Sequence, residues 1–127
     1  MITSFKDLVA YREAHKLVLA IYAETKHFPA EEKFALVNQM QRAAVSITSN
    51  IAEGFARNTA KDKVQFYTIA RGSLFELDSQ LLISRDLGYI HALKYEDFVN
   101  QIELVSKLIS GLIKSAPSNN SSSASAY

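Results

Sequence analysis

Cysteine is absent from this chain of 127 residues, and proline and glycine are scarce. Without cysteine, the sequence excludes disulfide bonds, thiolate metal sites and cysteine nucleophiles. Two prolines and four glycines are too few for a sandwich or barrel of many short strands. The glycines, at positions 54, 72, 88 and 111, are also too far apart to form a phosphate-binding loop.

A strong charge of either sign is also missing. Fourteen Lys and Arg face thirteen Asp and Glu, which leaves a formal net charge of +1. This balance excludes a globally basic nucleic-acid binder but is compatible with a local basic patch. The longest apolar run, residues 17–23, falls far short of the roughly 20 residues that a membrane span needs. Because the first residues also lack the pattern of a secretory signal, we expect a cytoplasmic protein without membrane contact.

The motifs of common catalytic and metal sites are not found either. There is no G-x-S-x-G nucleophile elbow and no H-E-x-x-H zinc motif, and the three histidines, at 15, 27 and 91, are dispersed. A Glu-x-x-His motif occurs once, at residues 24–27, whereas a di-iron bundle requires two copies. We therefore predict no catalytic residue, no metal, no cofactor and no enzymatic activity.

What the chain does contain is helical periodicity. Breaks at residues 27–29, 54–58 and 88–92 separate four long segments, each with apolar residues at intervals of three and four. Helices of this length with short connections predict an all-α fold, an antiparallel up-down-up-down four-helix bundle. We assign residues 1–115 to this bundle. The Ser-rich residues 116–127 offer almost nothing to bury and are predicted to be a disordered tail.

The periodicity also predicts the core. In the first segment one apolar stripe runs through Leu8, Tyr11, His15, Val18 and Tyr22, and makes His15 a core or interface residue. A neighbouring stripe of Ala10, Ala14, Leu17 and Ile21 widens the predicted buried face. The other three segments contribute Val37, Met40, Ala44, Ile47, Ile51, Phe55, Phe66, Ala70, Leu74, Leu77, Leu81, Leu87, Phe98, Ile102, Val105, Ile109 and Leu112.

A polar stripe runs along the second segment, with a partial counterpart on the third. Its members follow at intervals of three and four: Gln39, Arg42, Ser46, Asn50 and Glu53, then Ser73, Glu76 and Gln80. Such stripes can pair between helices, for example Arg42 with Glu76, or across a subunit boundary. A solvated face, a polar network within the bundle or between subunits, and a ligand site remain open. Gly72 favours close packing, because glycine inside a helix costs about 1 kcal/mol relative to alanine.

A basic cluster follows the second break. Between residues 57 and 71 the chain carries Arg57, Lys61, Lys63 and Arg71 against Asp62 alone. Lys and Arg neutralise phosphates and release counterions, so these four residues are candidate nucleic-acid contacts. The alternative is an ordinary solvated surface. In an oligomer the patch would recur, and weak contacts would add through effective concentration.

Four stretches resemble the 23S rRNA intervening-sequence protein family. They are residues 41–47 (QRAAVSI), 49–57 (SNIAEGFAR), 67–77 (YTIARGSLFEL) and 86–89 (DLGY), within a resemblance that extends from about residue 5 to residue 114. Thr48 is a departure, since family members often have proline there. The resemblance implies a bacterial four-helix bundle protein that forms a homo-oligomer, typically a five-membered ring, and it implies no established activity.

Two functional hypotheses follow. The first is a non-enzymatic oligomer that binds structured RNA or another nucleic acid through Arg57, Lys61, Lys63 and Arg71. The second is a protein-interaction scaffold in which Arg42, Ser46, Asn50, Glu53 and Glu76 hold the bundle or the ring together. A related bundle, the accessory variability protein of diversity-generating retroelements, is an example of the second class; it is strongly basic, unlike this chain with its net charge of +1.

Overall fold

The computed structural model describes residues 2–116, which fold into four long helices. The helices are α1 (Val9–Thr25), α2 (Leu36–Ala56), α3 (Ala60–Asp86) and α4 (Ala92–Ser115). Each helix packs against its neighbours in the chain, and α1 also packs against α4, which closes the bundle. The predicted all-α fold and four-helix bundle are confirmed. The predicted tail lies outside the described residues from 117 onward.

The bundle has two ends with different elements. The start of α1, the α2–α3 turn and the end of α4 meet at one end, which we call the turn end. The α1–α2 and α3–α4 connections meet at the other, the loop end. There the ring centroids of Phe28 and Tyr89 lie 5.2 Å apart, and the Tyr89 hydroxyl donates to Glu32 Oε2 at 2.8 Å. This hydrogen bond to a carboxylate raises the pKa of Tyr89 above its usual value.

The first segment begins with a short 3₁₀ turn over Phe5–Asp7 before α1. Ser4 and Asp7 form a reciprocal capping box, in which the Asp7 carboxylate accepts from the backbone N–H groups of Thr3 and Ser4. These two hydrogen bonds lower the pKa of Asp7.

The core confirms most of the predicted apolar positions and corrects their phase on α1. Ala10, Ala14, Leu17 and Ile21 are completely buried, whereas Tyr11 is only half-buried. His15 is exposed, so the prediction that it lies in the core is wrong; the alternative, a place at an interface, stays a prediction. The helix is rotated by about one position relative to that stripe, because the alanine row lets α1 approach its neighbours closely. Leu87, also predicted as core, is 53% exposed.

Two glycines differ sharply in their surroundings. A Cβ on Gly54 would lie 2.6 Å from Cε1 of Tyr67 and 3.2 Å from Cβ of Phe66, so α2 and α3 touch here with no space for a side chain. A Cβ on Gly72 would meet nothing within 4 Å. The prediction that Gly72 marks close packing is therefore wrong within the chain, because this residue lies on the outward side of α3.

The end of α3 and the course of α2 each depend on one residue. Gly88 has φ +81°, and the backbone N–H groups of Gly88 and Tyr89 bond to the carbonyls of Arg85 and Ser84, which ends α3. The helix α2 continues without a break through Thr48, whose hydroxyl donates to the Val45 carbonyl at 2.9 Å.

Candidate functional site

The α2–α3 turn is fixed at both of its sides. The α2 helix ends with the N–H of Arg57 bonded to the Gly54 carbonyl at 3.2 Å. Thr59 caps α3 because its hydroxyl accepts from the backbone N–H of Asp62 at 3.1 Å. The basic residues around this turn are therefore held on an ordered frame.

Lys63 has a structural role at this turn. Its Nζ donates to the carbonyl of Phe55 at 2.8 Å and to that of Gly54 at 3.4 Å. These are carbonyls at the C-terminal end of α2, where the helix dipole favours a cation. Burial lowers the pKa of Lys63. The Lys63 ammonium is thus engaged by the fold.

Arg57 and Lys61 are the exposed cations of the turn. The Arg57 guanidinium bonds to Glu53 Oε2 at 2.6 Å and lies 4.6 Å from the ring centroid of Phe66. Lys61 is exposed and forms no hydrogen bond or ion pair within residues 2–116. Among the four predicted phosphate contacts, Lys61 is therefore the one whose charge is uncommitted in the described chain.

Arg71 lies apart from the turn. It stands ten residues, about 15 Å of helix, beyond Lys61 on α3, is half-buried and donates from Nη1 to Ser110 Oγ on α4 at 3.4 Å. The four cations that are close in sequence therefore do not form one cluster in space.

The sequence reasoning missed two cations at the turn end. Lys6 precedes α1, and Lys114 lies in the last turn of α4. The antiparallel topology brings the start of α1 and the end of α4 to the same end of the bundle as the α2–α3 turn. Reading the ends of the four predicted helices together, rather than one stretch of sequence, would have found them.

The polar stripe lies along the outer side of the α2–α3 contact and is partly a network. Ser46 and Ser73 are joined across the two helices, with their Oγ atoms 2.9 Å apart. Asn50 donates from Nδ2 to the Ser46 carbonyl at 2.8 Å and to Ser46 Oγ at 3.1 Å. These three half-buried residues tie α2 to α3.

The charged members of the stripe do not join this network. Arg42, Glu53 and Glu76 are exposed, and the ion pairs of residues 2–116 do not include Arg42 with Glu76. The suggested pairing of these two residues is wrong for the single chain. Glu53 binds Arg57 instead, and Glu76 Oε2 accepts from Gln80 Nε2 at 3.3 Å. The stripe therefore has two parts. Ser46, Asn50 and Ser73 form a partly buried, hydrogen-bonded group that we call the seam, and Arg42, Glu53 and Glu76 lie exposed along its edge.

Two buried polar residues extend the seam toward the loop end. Gln80 is 6% exposed, and its Oε1 has no hydrogen-bond partner in the described part of the chain. Ser84 is fully buried and donates to the Gln80 carbonyl at 2.8 Å, with Met40 Sδ at 3.5 Å. Ser84 gave no signal in the sequence, because a small hydroxyl on an apolar stripe resembles any other core position.

A surface groove of about 380 Å³ lies beside this seam, between α1 and α2. Tyr22, Arg42 and Ser46 contribute to its lining, which carries one cation and no carboxylate. Among residues 2–116, no three His, Asp or Glu side chains come together as a potential metal site. The arrangement offers hydrogen bonds and positive charge, and we assign no acid–base pair to it.

The similarity to known proteins covers the residues of the candidate site. The family model of the 23S rRNA-intervening sequence protein matches residues 6–111. The chain belongs to this family. The match includes the α2–α3 turn, the seam and Arg71. Curated proteins yielded no match.

A solved structure extends the family likeness to the fold. It is a protein of unknown function from the S23 ribosomal protein family of Bacteroides thetaiotaomicron, 26% identical to this chain with a TM-score of 0.78. The match covers 86% of this chain and 98% of that one. The two proteins therefore share the fold of the whole bundle. Over the described residues, no helix is both long and apolar enough to traverse a bilayer.

Proposed function

We propose that this family member is a non-catalytic, self-associating bundle in the cytoplasm that binds structured RNA, or another nucleic acid, through the cations of its turn end. The observation that carries the proposal is Lys61, which is exposed and has no partner among the described residues, on the turn where the Arg57 guanidinium lies over the Phe66 ring. The free ammonium of Lys61 can contact a phosphate directly, and Arg57 can do so when its guanidinium exchanges the exposed Glu53 carboxylate for a phosphate. The family's name refers to 23S rRNA and assigns no residue a role.

Lys63 supports this role indirectly. The carbonyl end of α2 is the negative end of a helix dipole and would repel a phosphate at the turn. The Lys63 ammonium bonds two of those carbonyls and offsets that field. A phosphate bound by Lys61 or Arg57 is then not repelled by the carbonyl end of α2.

Self-association is part of the proposal because a single copy offers few free cations. Repetition around a homo-oligomer, five copies by the family resemblance, multiplies the turn ends that one RNA can contact. Weak individual contacts then combine through effective concentration. Arg71 and Lys114 add to the positive charge on the same half of the bundle.

The test is binding of a fluorescent structured RNA, titrated over a range of salt concentrations. We expect Lys61→Glu to weaken binding and to reduce the slope of log K against log salt by roughly one per lost phosphate contact. Lys94→Glu is the matched control, because Lys94 is exposed on α4 at the loop end and the change in net charge is the same.

The outcomes separate the alternatives. Binding that responds to Lys61→Glu and not to Lys94→Glu supports the turn end. Equal loss in both variants indicates a general charge effect and overturns the assignment to Lys61. Absence of binding by the wild-type protein at low salt overturns the nucleic-acid proposal.

A protein-interaction scaffold is the second candidate. Phe34 and Leu93, 87% and 78% exposed, lie on the loop end and are unusual for a solvated surface. In the scaffold hypothesis Arg42 contributes to assembly. Arg42→Ala should then lower the oligomer mass or the melting temperature, whereas unchanged values would leave Arg42 as an exposed surface residue.

A further inference from the structure

A second surface that is rich in cations lies at the start of α1. A groove of about 460 Å³ runs there, within the roughly 300–1,000 Å³ that is usual for small-molecule pockets. We call it the α1 groove. The residues that line it are Lys6, Tyr11, Arg12, His15 and Lys16. The lining therefore combines cations with aromatic rings and includes no carboxylate.

Two of the three cations in the α1 groove are uncommitted in the described chain. Lys16 is bonded to Glu13 Oε2 at 2.8 Å. The side chains of Lys6 and Arg12, both exposed, form no hydrogen bond or ion pair within residues 2–116. The Lys6 ammonium lies 5.9 Å from the ring centroid of Phe5. Both free cations are therefore available to a phosphate.

The carboxylates of the same segment are engaged elsewhere. Asp7 accepts from backbone N–H groups in its capping box. Glu13 accepts from Lys16 and, on the far side, from Gln101 Nε2 of α4 at 3.3 Å. Because both carboxylates are held by these bonds, the positive charge in the groove comes from Lys6 and Arg12.

Three aromatic rings form a row at the groove. The centroids of Phe5 and Tyr11 lie 4.7 Å apart in an edge-to-face arrangement. Tyr11 and His15, one helical turn apart, are stacked, with centroids 6.0 Å apart and planes inclined by 25°. Phe5 and Tyr11 are half-buried, whereas His15 at the end of the row is exposed. The row therefore ends in a ring on which another planar group can stack.

Stacked rings beside free cations suit one class of ligand. Proteins that hold single-stranded nucleic acid stack unpaired bases on aromatic side chains and contact the adjoining phosphates with cations. Bases inside a duplex are already stacked on one another, so unpaired loops and ends are the parts of an RNA that aromatic side chains recognise.

We propose that the α1 groove binds an unpaired nucleotide of the RNA, with its base stacked on His15 and its phosphate bound by Lys6 and Arg12. The inference rests on the proposed nucleic-acid function and names the class of RNA, one with a single-stranded end or loop beside a helix. The α1 groove begins at the turn end, as does α3 with Lys61, so one RNA can contact both.

A pair of fluorescent hairpin RNAs with the same stem tests the stacking. One is blunt and the other ends in a short single-stranded adenosine overhang. By fluorescence anisotropy, the full wild-type chain should bind the overhang RNA about tenfold more tightly, as expected for one stacked base. His15→Ala should remove this preference and leave binding of the blunt hairpin unchanged. His91→Ala, at an exposed histidine of the loop end, is the matched control and should retain the preference.

The phosphate contact is tested by salt dependence. Lys6→Gln should reduce the slope of log K against log salt for the overhang RNA by roughly one. Lys94→Gln, at an exposed lysine of the loop end, is the matched control and should leave the slope unchanged. Helical circular dichroism and light scattering compare the fold and the oligomer mass of each variant with those of the wild type.

Several outcomes would overturn the proposal. They are equal affinity of the wild type for the two RNAs, an unchanged preference in His15→Ala, and an equal loss in His91→Ala. A changed oligomer mass in His15→Ala would place the ring at a subunit contact and overturn it as well.

The same titrations distinguish the two nucleic-acid proposals. Equal binding of both hairpins that still weakens in Lys61→Glu overturns the α1 groove alone. A preference for the overhang that depends on His15, without any response to Lys61→Glu, overturns the assignment to Lys61 alone. Absence of binding of either RNA at low salt overturns both.

Discussion

Gly54 on α2 and Tyr67 on α3 lie in direct contact, since a Cβ on the glycine would be 2.6 Å from the tyrosine ring. Gly54→Ala should therefore lower the free energy of unfolding by about 1–3 kcal/mol, the usual cost of overpacking. Urea denaturation measures this loss. An unchanged stability would contradict the close approach.

Gly72→Ala is the matched control for that substitution. Its Cβ meets nothing, and alanine is the better helix former, so stability should rise by about 0.5–1 kcal/mol. Both glycine variants are measured at several protein concentrations, so that any self-association is seen as a concentration dependence of the unfolding midpoint.

The Ser46–Ser73 hydrogen bond should couple α2 to α3 energetically. A double-mutant cycle with alanine at both positions should give a coupling free energy of about 0.5–1 kcal/mol. Ser46→Ala should cost more than Ser73→Ala, because Ser46 Oγ also accepts from Asn50. Coupling of zero would show that the two hydroxyls bond to water instead.

Lys63 and Lys61 should differ in their effect on stability although they are two residues apart. Lys63→Met removes the ammonium that caps α2 and should lower the unfolding free energy by about 1 kcal/mol. Lys61→Met should change it by less than about 0.5 kcal/mol, as is usual for exposed positions. Thermal denaturation of both variants checks this, and equal effects would refute the capping role.

Tyr67 should make stability fall at high pH. Burial raises the pKa of Tyr67 from 10.0 to about 12, so between these values the unfolded chain loses a proton that the folded chain retains. The free energy of unfolding therefore decreases as pH rises through this window. Lys63, whose pKa is lowered by burial, has the opposite effect just below its ordinary value of 10.5.

Comparison with Tyr67→Phe isolates the tyrosine contribution. Urea midpoints measured from pH 9 upward should fall less steeply in this variant than in the wild type. Parallel curves for the two proteins would contradict the raised pKa.

The helices and their core could be predicted because both depend on local patterns. Pro29 and Gly88 interrupt the chain, and the intervals of three and four place one face of each helix inside. On α1, aromatic residues and alanines form neighbouring stripes, and periodicity alone does not choose between them. The alanine stripe is the one that is buried, because small side chains allow the closest approach between helices.

The site could be predicted only in part because contacts between helices depend on rotation and side-chain direction. Ser46 and Asn50 were recognised as a possible network, but the bond to Ser73 required the register of α2 on α3. Lys61, Lys63 and Arg71 were grouped by sequence distance, whereas one is free, one caps a helix and one contacts α4. Such roles are set by three-dimensional neighbours.

The three-residue turn between α2 and α3 has a consequence for how the chain folds. So short a connection costs little loop-closure entropy, and the contacts it brings together are close in sequence. The Gly54–Tyr67 contact and the Lys63 cap require only this helix pair. We therefore expect α2 and α3 to form the folding nucleus and to retain their amide protons longest in native-state hydrogen exchange, with α1 and α4 docking afterwards.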